Sequence, residues 1–98
     1  MTKTYTLGDG TVISSDVLPL LRRMNQPSDA LPNPIACISW VEGGAWPGWG
    51  EWRVTGFART HVREEDILVA DDVEFCLNPE EKLRGKTVTL EDGYIVVT

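Results

Sequence analysis

The 98 residues, 42% of them hydrophobic and 24% charged, suit one folded domain over 1–98 and exclude a disordered chain or a pair of domains. The formal net charge of −6 sets the chain against phosphate backbones and anionic membranes, because like charges repel on approach. A protein partner with a basic surface is expected instead, with no direct nucleic-acid contact and no membrane.

In chain order, Thr4–Leu7 and Thr11–Ile13 flank Gly8-Asp9-Gly10, residues that tolerate the positive φ of a tight hairpin. A helix is predicted over about residues 15–25. Ser14 or Ser15 offers an N-cap hydroxyl, and Asp16 sits at the positive end of the dipole. Val17, Leu18, Leu20, Leu21 and Met24 follow with helical spacing, and Pro19 fits only the first turn. Arg22 and Arg23 suit its C-terminal end, and Asn25 and Pro27 stop it. Pro27, Pro32 and Pro34 mark an extended, polyproline-like connector.

Ile35–Glu42 and Glu51–Ala58 read as paired strands joined by a Gly-rich loop. In the second, Trp52, Val54 and Ala58 share one face, and Glu51, Arg53, Thr55 and Phe57 the other. Thr60–Asp66 is polar enough for one helical turn. Ile67–Ala70 and Val73–Leu77 are two short strands about the turn Asp71-Asp72. Asn78 and Pro79 can open a further helical turn, with Asn78 as cap and Pro79 in first position. Lys86–Leu90 and Tyr94–Val97 flank Glu91-Asp92-Gly93, a strong hairpin signal. The predicted class is α+β, mostly β: a small curled antiparallel sheet or open barrel with one helix over an end.

Four tryptophans, Trp40, Trp46, Trp49 and Trp52, fall within a short stretch. Trp40 and Trp52 lie in predicted strands and are assigned to the core. Trp46 and Trp49 lie in the loop among Gly43, Gly44, Gly48 and Gly50, where the backbone can close around a partner. Exposed tryptophan anchors interfaces; the alternative is a lid that tucks both rings onto the sheet. Glu42 and Glu51 flank the loop, and acids beside aromatic faces suit sugar hydroxyls or cations rather than phosphates.

Glu64, Glu65, Asp66, Asp71, Asp72, Glu74, Glu80 and Glu81 follow one another with no intervening Lys or Arg. Such a run steers a basic partner, imitates nucleic-acid phosphates, or simply keeps a face solvated.

No catalytic signature is present. His61 is the single histidine, and Cys37 and Cys76 lack a flanking nucleophile motif. These three residues lack zinc-ligand spacing, and no calcium-loop pattern occurs, so neither metal nor cofactor is expected. The N-terminal residues carry no apolar stretch of a signal peptide, so a cytoplasmic protein with reduced thiols is expected; export would allow a Cys37–Cys76 bridge.

The reading is a non-enzymatic binding module that docks a larger protein through Trp46, Trp49 and the acidic face. An accessory or inhibitory protein of the kind phages and mobile elements encode has these features. Alternatives are a carbohydrate or small-ligand module, a nucleic-acid mimic, and a Cys–His enzyme. The β-rich C-terminus leaves a monomer or a sheet-edge homodimer open.

Overall fold

Turn chemistry sets the strand boundaries. Asp71 and Asp72 both have positive φ (48° and 65°), as do Asp92 and Gly93 (51° and 83°), and each pair makes a two-residue hairpin turn. Both-positive turns match the right-handed twist of the strands they join, and glycine meets the second position without steric cost. In the first hairpin, the Thr11 N–H donates to the Asp9 carboxylate at 3.0 Å and pins the turn.

The computed structural model describes residues 3–43 and 49–98. The elements are β1 (Thr4–Thr6), β2 (Val12–Ser14), α1 (Leu18–Met24), β3 (Pro34–Glu42), β4 (Gly50–Ala58), β5 (Leu68–Ala70), β6 (Val73–Asn78), β7 (Thr87–Glu91) and β8 (Tyr94–Val97). Single 3-10 turns occupy Ser15–Val17, Arg59–His61, Glu64–Asp66 and Glu80–Lys82.

The α+β, mostly β class is as predicted, and the strands divide into two four-stranded mixed sheets with orders β1-β2-β7-β8 and β4-β3-β6-β5. We call these sheet A and sheet B. Neither is purely antiparallel, because β2 runs parallel to β7 and β3 parallel to β6. Hairpins come from adjacent sequence and are visible there, whereas these two central pairs join segments far apart in the chain.

The core lies between the sheets and α1. It contains Ile13 and Val88 from sheet A, Ala36, Ile38, Ala70, Val73 and Phe75 from sheet B, Val17, Leu18 and Leu21 from the helical segment, and Leu83. Full burial of a Leu, Ile, Val or Phe side chain contributes about 1.5–3 kcal/mol. Thr11 is fully buried among them and donates its hydroxyl to the Leu83 carbonyl at 2.9 Å.

The helix has the expected span but enters differently. Neither serine caps it: the Ser14 hydroxyl donates to Asp16 at 2.5 Å, and the Ser15 hydroxyl accepts from the Lys3 N–H at 3.1 Å. A 3-10 turn leads in, with Pro19 in the first α turn. At the other end Asn25 stops the helix and also ties it to sheet B. Its side chain accepts from the Ala36 N–H at 2.7 Å and donates to the Glu74 carbonyl at 2.8 Å.

The connector after it is not an extended strap. Ser28 and Leu31 exchange backbone hydrogen bonds at 3.0 and 3.2 Å, closing a turn. Leu31 then lies 3.5 Å from where a side chain on Gly56 would begin. Asn78 does not cap the turn at Glu80–Lys82; Pro79 occupies the cap position and no side chain bonds there. No helix is long and apolar enough to cross a membrane among the described residues.

Candidate functional site

The β3–β4 hairpin carries the first candidate. Its register pairs Trp40 with Trp52 and Glu42 with Gly50, and the Gly43 N–H donates to the Trp49 carbonyl at 2.8 Å. Trp40 and Trp52 meet edge to face, with ring centroids 5.3 Å apart and planes at 66°. Such a pair adds about 0.5–1.5 kcal/mol beyond the area it buries. The Lys82 ammonium lies 4.8 Å from the Trp40 ring centre, within cation–π range. A Cβ on Gly50 would fall 2.8 Å from the Trp40 ring and 2.5 Å from the Val41 carbonyl oxygen, so glycine is what lets the indole lie flat there.

This arrangement differs from the core assignment of both rings. Trp52 does pack against the core, but it and Trp40 are only half-buried, and they stiffen the stem of the hairpin. The next tryptophan along, Trp49, is 70% exposed. It is therefore not part of a lid over the sheet. Trp46 lies outside the described residues. Glu42 is exposed at the stem, and Glu51, also exposed, forms an ion pair with Arg53.

The acidic run looks different in space than along the chain. Arg22 reaches Asp71 at 3.5 Å, Arg59 reaches Glu74 at 2.6 Å, and Arg63 reaches Glu65 at 3.3 Å and Asp66 at 3.2 Å. All three arginines lie before the run in sequence, so the unbroken string of acids did not predict them. The pairs are surface-exposed and individually weak, but they set positive charge beside four of the eight acids. Glu64, Asp72, Glu80 and Glu81 remain exposed acids there.

A second candidate lies on the face of sheet B away from the core. In the order β4-β3-β6-β5, β4 and β5 are the two edges, so the chain between them crosses β3 and β6. Cys37 on β3 and Cys76 on β6 are register partners beneath that crossover. They are 0% and 5% exposed, and Ile35 beside them is 0% exposed. An open groove of about 760 Å³ remains there, lined by both cysteines, Phe57, His61, Arg63 and Asp66 among others. The two thiols interact: a hydrogen bond from Cys76 holds the Cys37 thiol below its ordinary pKa, and the same bond with burial pushes Cys76 up.

The structure thus brings His61 into one groove with Cys37 and Cys76, which sequence separation concealed. It does not bring this groove together with Trp49, which stands at the end of the β3–β4 stem. Alternation along Val73–Leu77, with Glu74 and Cys76 sharing a face, was the one sequence signal that Cys76 points away from the main core. Among the described residues, no three His, Cys, Asp or Glu side chains form a group that could hold a metal ion.

Comparison with known proteins places the chain beside none of them: no family model, no curated protein and no solved structure matches it.

Proposed function

We propose that the protein is a non-enzymatic docking module that binds a larger protein through the β3–β4 hairpin, with Trp49 as its anchor. One observation carries the reading: Trp49 is 70% exposed at the end of a stem braced by the Trp40–Trp52 pair. Leaving an indole in water on a preorganised support forgoes burial on folding, and association recovers it with little ordering cost. Tryptophans in such positions are frequent interface hot spots. The net charge of −6 favours a basic partner surface and speeds its approach. A cytoplasmic accessory or inhibitory role belongs to this reading.

The arginines set among the acids favour a steering role for that face over imitation of a continuous phosphate backbone. The Glu51–Arg53 pair likewise engages one of the two carboxylates that flank the indole, and Glu42 is the other.

The test compares the wild-type protein with Trp49→Ala as immobilised bait, with circular dichroism confirming the fold of each. Truncating a hot-spot tryptophan is expected to weaken a specific partner by about 2 kcal/mol or more, roughly 30-fold. Equal capture by both baits overturns the reading. Binding of oligosaccharides that shifts tryptophan emission, with no protein captured, replaces it by a carbohydrate module.

A further inference from the structure

Cys37 and Cys76 are far apart in the chain yet are direct register partners on the parallel strands β3 and β6. Neighbouring strands lie roughly 4.7–4.9 Å apart, inside the roughly 4.4–6.8 Å window of Cα separations that a disulfide spans. Register partners point to the same face of a sheet, so both sulfurs project to one side. Here that side is the groove beneath the Arg59–Asp66 crossover, and both cysteines line it. Both thiols are free in this structure, and the Cys37 thiol lies 3.9 Å from the Ile38 carbonyl oxygen. Most buried cysteines serve as small hydrophobes and meet no second thiol. This pair sits side by side on adjacent strands, and both members line the groove.

We propose that Cys37 and Cys76 form a reversible dithiol–disulfide couple, oxidised by a small peroxide that enters the groove. Cys37 is the attacking thiolate, because its neighbours Cys76 and Ser39 hold its thiol below the ordinary pKa while that of Cys76 is pushed up. It displaces hydroxide from the peroxide O–O bond and becomes a sulfenic acid. Cys76 then attacks that sulfur, the S–O bond breaks, and water leaves with the Cys76 proton. In sum, two thiols and one hydrogen peroxide give one disulfide and two waters. The sulfurs are oxidised by two electrons and the peroxide is reduced by two. A small dithiol reductant reverses the change by thiol–disulfide exchange. The bond would join the two central strands of sheet B and close a long loop, which restricts the unfolded chain. This couple stands apart from the docking role of Trp49.

The experiment treats the reduced full-length protein with one equivalent of hydrogen peroxide. Expected are an intramolecular product two mass units lighter, disappearance of both free thiols, a Cys37–Cys76 linked peptide under non-reducing digestion, and a higher Tm that returns on reduction. Cys76→Ser is expected to stop at a sulfenic acid on Cys37, trapped by a dimedone probe. The proposal is overturned if both thiols persist, if they pass to sulfinic acid, or if the product is a disulfide-linked dimer. The wild-type mass and peptide map decide the matter without the variant, should Cys76→Ser fail to fold.

Discussion

Sheets A and B share a plan, a parallel central pair flanked by antiparallel neighbours, yet they differ in how many faces they bury. The middle of sheet B is closed on both sides. From Pro34 to Ser39 every residue of β3 is buried, including Ile35 and Cys37 on the side away from the main core. Sheet A buries one face. In β7 and β8, Val88, Leu90, Ile95 and Val97 point inward, while Thr89 and Val96 pair on the other side and Tyr94 is 72% exposed. Strands buried on both faces read as continuous apolar runs, and half-buried strands alternate. The run Ile35-Ala36-Cys37-Ile38 and the alternation Thr87-Val88-Thr89-Leu90 are these two patterns. A crossover that reduces solvent on the outer face of sheet B makes the difference, and the groove with the paired cysteines is what it leaves unfilled.

Substitutions that remove buried carbon test this contrast most strongly. Phe75→Ala, on the inner face of sheet B, is expected to cost about 3–5 kcal/mol, and Ile35→Ala, on its outer face, about 2–5 kcal/mol. Thr89→Ala, on the outer face of sheet A, should change stability by no more than about 0.5 kcal/mol. Urea unfolding followed by circular dichroism measures all three. If Ile35→Ala proves as mild as Thr89→Ala, the crossover does not seal sheet B and the contrast fails.

The attachment of the helix to sheet B comes next in size. Asn25→Ala would leave the buried Ala36 N–H without its acceptor and so cost about 1–3 kcal/mol. Faster amide exchange at Ala36 in the variant would locate the loss, and unchanged exchange would show another acceptor. Gly50→Ala is of similar size, about 1–3 kcal/mol, because the added methyl meets the Trp40 ring and a backbone carbonyl. The Trp40–Trp52 exciton couplet in far-ultraviolet circular dichroism should weaken with it, and an unaltered couplet would mean the ring yields freely.

A smaller, pH-dependent effect belongs to the first turn of sheet A. Burial acts to raise the Asp9 carboxyl, but the hydrogen bonds from Thr11, with help from the Asp9 backbone and Arg84, outweigh it and leave the pKa below the ordinary 3.8. A depressed folded pKa stabilises above the unfolded value and loses that contribution as pH falls through the folded one. Asp9→Ala is therefore expected to cost at most about 1 kcal/mol at neutral pH and progressively less below about pH 4. A cost that stays constant into acid would show that the carboxylate charge plays no part in the turn.

Much of the local structure was legible in the residues. The three hairpin turns, the helix between Ser15 and Asn25 and the pairing of Ile35–Glu42 with Glu51–Ala58 follow from short-range preferences of Gly, Asp, Pro and alternating apolar side chains. Of the candidate site, the Gly/Trp hairpin was visible as composition, and Trp49 is exposed at the end of its stem. The Arg22–Asp71 and Arg59–Glu74 pairs were not visible, since charges that meet across strands leave no mark along the chain.

Only tertiary structure decided how strands far apart in the chain would pair. A tight turn specifies a hairpin within a few residues, so β1–β2, β3–β4, β5–β6 and β7–β8 were each written locally. A parallel pair needs a long crossover, and nothing in either strand names its partner. The choice of β6 for β3 and of β7 for β2 was made by burying Phe75, Ile38, Ile13 and Val88 in one core with the helix. That choice set Cys37 beside Cys76, because register, once the core face is satisfied, dictates what meets on the opposite face.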